Sequence, residues 1–184
     1  MKLALISDTH MQHDRLQMPE ADILIHAGDW TWKGEENHTI EFLTWLNAQN
    51  YKHKLYVAGN HDYYPENEPT KFKALCKQYA PTCMYLENSN VVIDGVKFHG
   101  SPISPFFGGM AFNAHRGKEI QSYWDEIPDD TNVLITHGPV LGFGDKLSRW
   151  GSEPGKNIGC ADLLNAINTR LRALRLHVSG HIHE

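Results

Sequence analysis

Five short apolar runs in this chain each stop at a turn that carries aspartate, asparagine or histidine. Leu3–Ile6 ends at Ser7-Asp8-Thr9-His10, and Asp22–His26 ends at Ala27-Gly28-Asp29. Lys54–Val57 ends at Ala58-Gly59-Asn60-His61-Asp62, and Asn132–Thr136 ends at His137-Gly138. Leu176–Ser179 ends at Gly180-His181-Ile182-His183. Runs this short, bounded by glycine-containing turns, read as buried strands. Segments with helical spacing lie between them, at Glu36–Gln49, Thr70–Tyr79, Gly117–Glu126 and Ala161–Leu174. Strands alternating with helices argue an α/β class. In the middle, Asn90–Ile93 and Val96–His99 flank Asp94-Gly95, a two-residue hairpin signal that predicts a partly antiparallel sheet. No repeat, low-complexity tract or linker divides the chain, so residues 1–184 read as a single domain.

Composition limits the function classes. With 17 Lys and Arg against 22 Asp and Glu, the net charge is −5. That balance argues against stable binding of nucleic acid by charge alone, but leaves room for one phosphate held at a local positive site. No apolar run approaches the ~18 residues that a membrane helix needs. The apolar stretch after Met1 is too short for a signal-peptide core. Three cysteines, odd in number and without CxxC spacing, predict free thiols and a reducing, cytoplasmic compartment. Twelve histidines make metal binding the chemistry to consider first.

In open α/β sheets, ligands bind at the C-terminal ends of the strands, so the five turns are expected to meet. Together they supply two carboxylates (Asp8, Asp29), one amide oxygen (Asn60) and four imidazoles (His10, His137, His181, His183). Mixed N and O donors suit Mn, Fe, Zn, Co or Ni better than Ca or Mg. Seven ligands exceed the need of one open catalytic ion and suit two ions about 3.5–4 Å apart with a bridging carboxylate. Two divalent ions against two aspartates leave the site near about +2, enough to hold a phosphate in an acidic protein. Each turn taken singly also has a plain reading as a cap, a turn residue or a loop histidine.

The ordered set resembles the signature of the calcineurin-like metallophosphoesterases, DxH, GD, GNH[D/E], GH, GHxH. The fourth element has Thr136 in place of the glycine but keeps the histidine. The resemblance spans residues 8 to 183. Ile6-Ser7-Asp8-Thr9-His10, Thr136-His137-Gly138-Pro139, Leu141-Gly142-Phe143, Phe112-Asn113, Arg116-Gly117 and His181-Ile182-His183-Glu184 are similar to the metallophosphoesterase-domain-containing phosphodiesterases. That branch is similar to class III cyclic-nucleotide phosphodiesterases. Some animal members carry glycine where this chain has His181, so the histidine implies an intact second metal site.

The resemblance implies a four-layer α/β/β/α sandwich with mixed sheets and two divalent metal ions, manganese foremost, with Fe, Zn, Co or Ni as alternatives. It implies that Asp8, His10 and His183 hold one ion, that Asn60, His137 and His181 hold the other, and that Asp29 bridges them. A hydroxide between the ions would attack phosphorus in line, and His61 would protonate the leaving oxygen. Asp62 either orients His61 or is an ordinary turn residue. The family continues past GHxH, whereas this sequence stops one residue after His183. Two readings follow, a naturally short protein or a truncated one; without a strand after the His181–His183 turn, either the metal site is loosened or a sheet edge is left open for pairing, with a homodimer as one outcome.

Asn113, His115 and Arg116 are the candidate substrate contacts, because arginine pairs phosphate in bidentate fashion. Phe106 or Phe112 either stacks on a base or covers the core. The function expected is a metal-dependent phosphodiesterase acting on small or nucleotide-type substrates. The alternatives are a nuclease of the same superfamily and a non-catalytic scaffold.

Overall fold

The computed structural model describes residues 1–147 and 155–183. Its first sheet is built from four parallel strands in sequence order: β1 (Leu3–Ile6), β2 (Ile23–Ala27), β3 (His53–Val57) and β4 (Cys83–Tyr85). In β2 all five residues are buried, as expected for a parallel strand covered on both faces. Ile23, Ile25 and Ala27 face the second sheet, while Leu24 joins the helix-covered side.

The hairpin forms as expected. β5 (Ser89–Ile93) and β6 (Val96–Ser101) pair antiparallel with Ile93 opposite Val96. Both turn residues, Asp94 and Gly95, have positive φ (48° and 78°), which matches the right-handed twist of the strands they join. β6 then pairs parallel with β9 (Val133–Thr136), and β9 pairs parallel with β10 (Leu176–Val178). The second sheet has the order β10-β9-β6-β5. Two residues each of β7 (Ser104–Pro105) and β8 (Asn113–Ala114) pair beside it.

The sheets face each other across Ile25, Leu55, Val57, Phe98 and Ile135, all fully buried. Burying a side chain of this size stabilises the fold by roughly 1.5–3 kcal/mol, which makes this apolar layer the main adhesive between the sheets. The outer faces are covered by helices. Phe42, Leu43 and Leu46 of α1 (Glu36–Ala48) and Phe72 of α3 (Pro69–Tyr79) pack with Leu24 and Tyr56. Ile120 and Trp124 of α4 (Lys118–Asp125) and Leu163 and Ala166 of α5 (Ala161–Thr169) pack with Leu134. The result is the four-layer sandwich.

Three elements depart from the sequence reading. A helix α2 (Tyr63–Asn67) forms directly after Asp62, although Pro65 lies within it. Strand β4 was not expected, because Cys83-Met84-Tyr85 is too short for a visible alternation. The last helix stops at Thr169 rather than Leu174. The Arg170 guanidinium binds the carbonyls of Trp124 and Ile127 and the Asp129 carboxylate, which draws the chain off the helix axis. Leu171 stays buried nonetheless. After β9 the sequence shows no helix or strand pattern up to Asn157, and residues 148–154 of that stretch lie outside the described residues. Among the described residues no helix is long and apolar enough to cross a membrane.

Candidate metal centre

The C-terminal ends of β1, β2, β3 and β9 and the segment after β10 converge at one edge of the sandwich. Donor atoms of Asp8, His10 and His183 lie within 4.8 Å of one another, and so do those of Asp29, His137 and His181. Asn60 joins the second set, with Oδ1 2.9 Å from His137 Nε2 and 2.6 Å from His181 Nδ1. Asp29 stands between the sets: its Oδ2 is 3.2 Å from His137 Nε2 and 3.9 Å from His10 Nε2.

The loops reach this arrangement through backbone conformations that side chains disfavour. Asp8, His10, Asp29 and His181 all have positive φ, between 41° and 76°. Left-handed conformations of non-glycine residues cost on the order of 1–3 kcal/mol each and persist where surrounding contacts over-determine them. Two glycines allow the close approach. A Cβ on Gly59 would collide with the backbone and carboxylate of Asp29, and one on Gly180 would collide with the Asp8 carboxylate.

Hydrogen bonds behind the donors set their lone pairs. His10 Nδ1–H donates to the Thr31 carbonyl at 2.8 Å, and His137 Nδ1–H donates to the Ala27 carbonyl at 2.8 Å. Each turns Nε2 toward the centre. His10 Nε2 and His183 Nε2 then face each other at 3.3 Å, with Asp8 Oδ1 3.1 Å from His183 Nε2. Nitrogen lone pairs converging on carboxylate oxygens form a cavity that a cation fills and a hydrophobic core would not. Buried His26 braces the floor: its Nδ1 accepts from the Gly28 N–H at 3.2 Å, and Thr9 Oγ1 lies 3.0 Å from Nε2.

The electrostatics agree with a ligand set. Burial pushes His181 down to about 4, so its imidazole is neutral and free to coordinate. Burial also lowers His10. Burial resists charge on both Asp29 and His137, yet without a cation the pair holds itself charged, with the carboxyl below its usual range and the imidazole above, so a bound cation would take the place of the His137 Nε2 proton. The donor set of four imidazoles, two carboxylates and one amide fits a pair of divalent transition-metal ions.

Asp62 does something other than hold His61. It is fully buried, and its oxygens accept from the backbone N–H groups of Asp29, Trp30, Thr31 and Gly59 and from Thr31 Oγ1, at 2.8–3.3 Å. Burial and the Asp29 carboxylate push its pKa up, whereas five donors require an acceptor at both oxygens. The donors make the ionised carboxylate the form around which the β2 and β3 turns are tied. The His61 ring is set by Trp32: Nδ1–H donates to the Trp32 carbonyl at 2.8 Å, and the Trp32 ring stacks on His10 at 4.0 Å. The sequence carried no signal for Trp32, because it acts through a backbone carbonyl and an exposed ring face.

The centre opens into a cleft of about 690 Å³. Asp29, Asn60, His61, His181 and His183 line its floor, and Phe106, Phe107, Met110, Leu141 and Ile158 line its walls. Arg116 lines it, with its guanidinium bonded to the carbonyls of Gly159 (2.8 Å) and Ile158 (2.5 Å). Asn113 and His115 depart from the expectation of substrate contact. The Asn113 amide is used internally, accepting from Phe107 N–H and donating to Ser104 Oγ. His115 stacks on Phe106 at 4.5 Å outside the cleft lining. Phe112 is buried in the core, so of the two base-stacking candidates only Phe106 faces the cleft.

A family model described as calcineurin-like phosphoesterase matches residues 1–184. The chain belongs to that family. Over 203 residues it is 36% identical to metallophosphoesterase domain-containing protein 1 of Homo sapiens, an alignment that covers all of this chain and 60% of that protein. Over 196 residues it is 37% identical to a UPF0046 protein of Caenorhabditis elegans, covering all of this chain and 64% of the relative. The chain therefore spans about 60% of the length of the curated relatives it matches. A solved structure with TM-score 0.64 and 17% identity covers the whole chain and 84% of its own, a likeness of fold alone. Calcineurin-like phosphoesterases use two divalent ions, and the two donor sets here match that need.

Proposed function

We propose that this chain is a metal-dependent phosphodiesterase acting on small or nucleotide-type diesters. In this reading Asp8, His10 and His183 hold one ion, Asn60, His137 and His181 hold the other, and Asp29 serves both. When bound, the ions, manganese foremost, lower the pKa of water and neutralise phosphoryl oxygens.

The chain's own residues supply the rest. With Nδ1–H committed to the Trp32 carbonyl, His61 presents Nε2 to the cleft as the atom that gives a proton to the leaving alkoxide. The His61 backbone N–H donates to Asp29 Oδ1 at 2.8 Å, so the proton donor and the shared carboxylate are positioned as one unit. Asp62, by tying the two turns together, fixes the distance between that unit and the floor.

The observation that carries the diester reading is the shape of the cleft. Both donor sets open into one cavity whose far walls, at Pro105, Phe106, Phe107, Leu141 and Ile158, are apolar. A monoester dianion brings an extra charge and no second group to cover these walls, whereas a diester brings one less charge and a second arm. The free thiols Cys76, Cys83 and Cys160 favour a reducing, cytoplasmic setting. The test compares bis-nitrophenyl phosphate with nitrophenyl phosphate. A kcat/KM ratio of roughly ten or more for the diester is expected. A preference for the monoester would reverse the substrate assignment while leaving the metal centre in place.

A further inference from the structure

Between β9 and α5 the described residues, 139–147 and 155–160, form the two paired arms of a ribbon. Its base is closed by the Cys160 N–H donating to the Pro139 carbonyl (2.9 Å) and the Leu141 N–H donating to the Cys160 carbonyl (3.2 Å). Farther out, Lys146 and Asn157 form an antiparallel bridge, and the Leu147 N–H donates to the Lys156 carbonyl at 3.0 Å. Asp145, buried inside, accepts the Ile158 N–H on its carbonyl and the Gly159 N–H on Oδ2, both at 3.0 Å. The ribbon supplies Leu141, Leu147 and Ile158 to one wall of the cleft.

Among the described residues, the side chain that fastens this wall from outside is Arg116. Arg116, on the segment between β8 and α4, uses Nη1 and Nη2 to grip the adjacent carbonyls of Gly159 and Ile158. A planar fork spanning two successive carbonyls is a guanidinium geometry; an ammonium is a point donor and does not reproduce it. The next residue adds a weaker tie, with the Gly117 N–H 3.2 Å from Asp162 Oδ2 at the start of α5.

We propose that this ribbon is the specificity wall of the cleft, selecting diesters with a bulky apolar arm, and that Arg116 is the positioning residue that holds it in place. The proposal rests on the phosphodiesterase reading above for its kinetic consequence. Arg116 acts through Ile158 and Gly159 rather than on the phosphate. Its loss therefore changes which second arm is accepted more than it changes turnover. The bulky arm lies against Leu141, Leu147 and Ile158; a methyl arm does not reach them.

The experiment uses the full chain with Mn²⁺ and two probes that share a leaving group, bis-nitrophenyl phosphate and methyl nitrophenyl phosphate. For Arg116→Met and Arg116→Lys the preference for the bulky diester, as a ratio of kcat/KM values, is expected to fall roughly tenfold, through KM rather than kcat. Ile158→Ala is expected to lower the same ratio with Arg116 intact. Amide hydrogen exchange is read in parallel: the amides of Leu147, Ile158 and Gly159 are expected to exchange faster in Arg116→Met, with those of β9 unchanged. Equal loss on both substrates with unchanged exchange would overturn the proposal, because it would mean that Arg116 touches the phosphate. An unchanged ratio in all three variants would overturn the wall. If the wild-type chain hydrolyses neither ester with any divalent ion, the phosphodiesterase reading fails, and the exchange data still decide whether Arg116 pins the ribbon.

Discussion

The backbone N–H of His61 donates to Asp29 Oδ1 at 2.8 Å, while the other oxygen of that carboxylate lies 3.2 Å from His137 Nε2. Asp29 thus fastens the proposed proton donor with one oxygen and faces both donor sets with the other. In Asp29→Asn an amide replaces the shared carboxylate and removes a negative charge that two cations need. The variant is expected to lose both ions on gel filtration and nearly all turnover. Retention of two ions, read by metal analysis, would remove Asp29 from the shared position.

His61 faces the cleft but belongs to neither donor set. His61→Ala is expected to keep the wild-type metal content and to lose roughly 10²–10⁴-fold in turnover with alkyl leaving groups. The loss is expected to be smallest for nitrophenyl esters, whose leaving group needs no proton. A rate series against leaving-group pKa measures this as a steeper slope in the variant. An unchanged slope would exclude proton donation by His61.

Gly59 is where β3 passes against the Asp29 loop. Gly59→Ala places a methyl group into the carboxylate and the backbone nitrogen of Asp29, and the backbone nitrogen cannot swing aside. Overpacking of this kind costs about 1–3 kcal/mol, and here it also displaces a shared ligand. Urea unfolding of the metal-free variant is expected to show the stability loss, with weaker metal retention in parallel.

His99 gives the fold an acid limit away from the metal centre. It is 1% exposed, and among the described residues neither ring nitrogen has a hydrogen-bond partner. Burial lowers its pKa from 6.5 to about 4. A lowered folded-state value means that the neutral form is the one folded, so stability is full above about pH 6.5 and is lost as pH falls toward 4. The shift corresponds to a loss on the order of 3 kcal/mol across that window. His99→Leu cannot take the proton, so its stability relative to wild type is expected to rise between pH 7 and pH 5. Buried His26 and half-buried His177, both also lowered by burial, leave part of the slope in place. A difference between variant and wild type that does not change with pH would contradict this.

Much of the frame was legible because strands and ligands share one signal. Each apolar run ends where its ligand begins, so β1, β2, β3, β9 and β10 were located to within about a residue, and the seven donor residues with them. What stayed hidden depends on backbone atoms in loops. The Trp32 carbonyl that holds His61, the five donors around Asp62 and the two carbonyls gripped by Arg116 have no pattern in sequence. Nor do the left-handed conformations at Asp8, His10, Asp29 and His181, which non-glycine residues adopt only under tertiary constraint. For Arg116 and Asp62, charge pairing and proximity in sequence suggested a phosphate and His61 as partners, whereas their hydrogen bonds go to the Gly159 and Ile158 carbonyls and to the backbone of the β2 and β3 turns. The helix from Ala161 was read five residues too long because Leu171 and Leu174 continue its apolar spacing, whereas the Arg170 contacts end it.

The central claim is that seven side chains on five strand ends make one two-metal hydrolytic centre. It is tested most directly by stripping the chain of metal and titrating Mn²⁺ back while following bis-nitrophenyl phosphate hydrolysis. Turnover that stays near zero through the first equivalent and rises with the second is the expected result. No turnover at any Mn²⁺ concentration, nor with Fe, Zn, Co or Ni, would contradict the account.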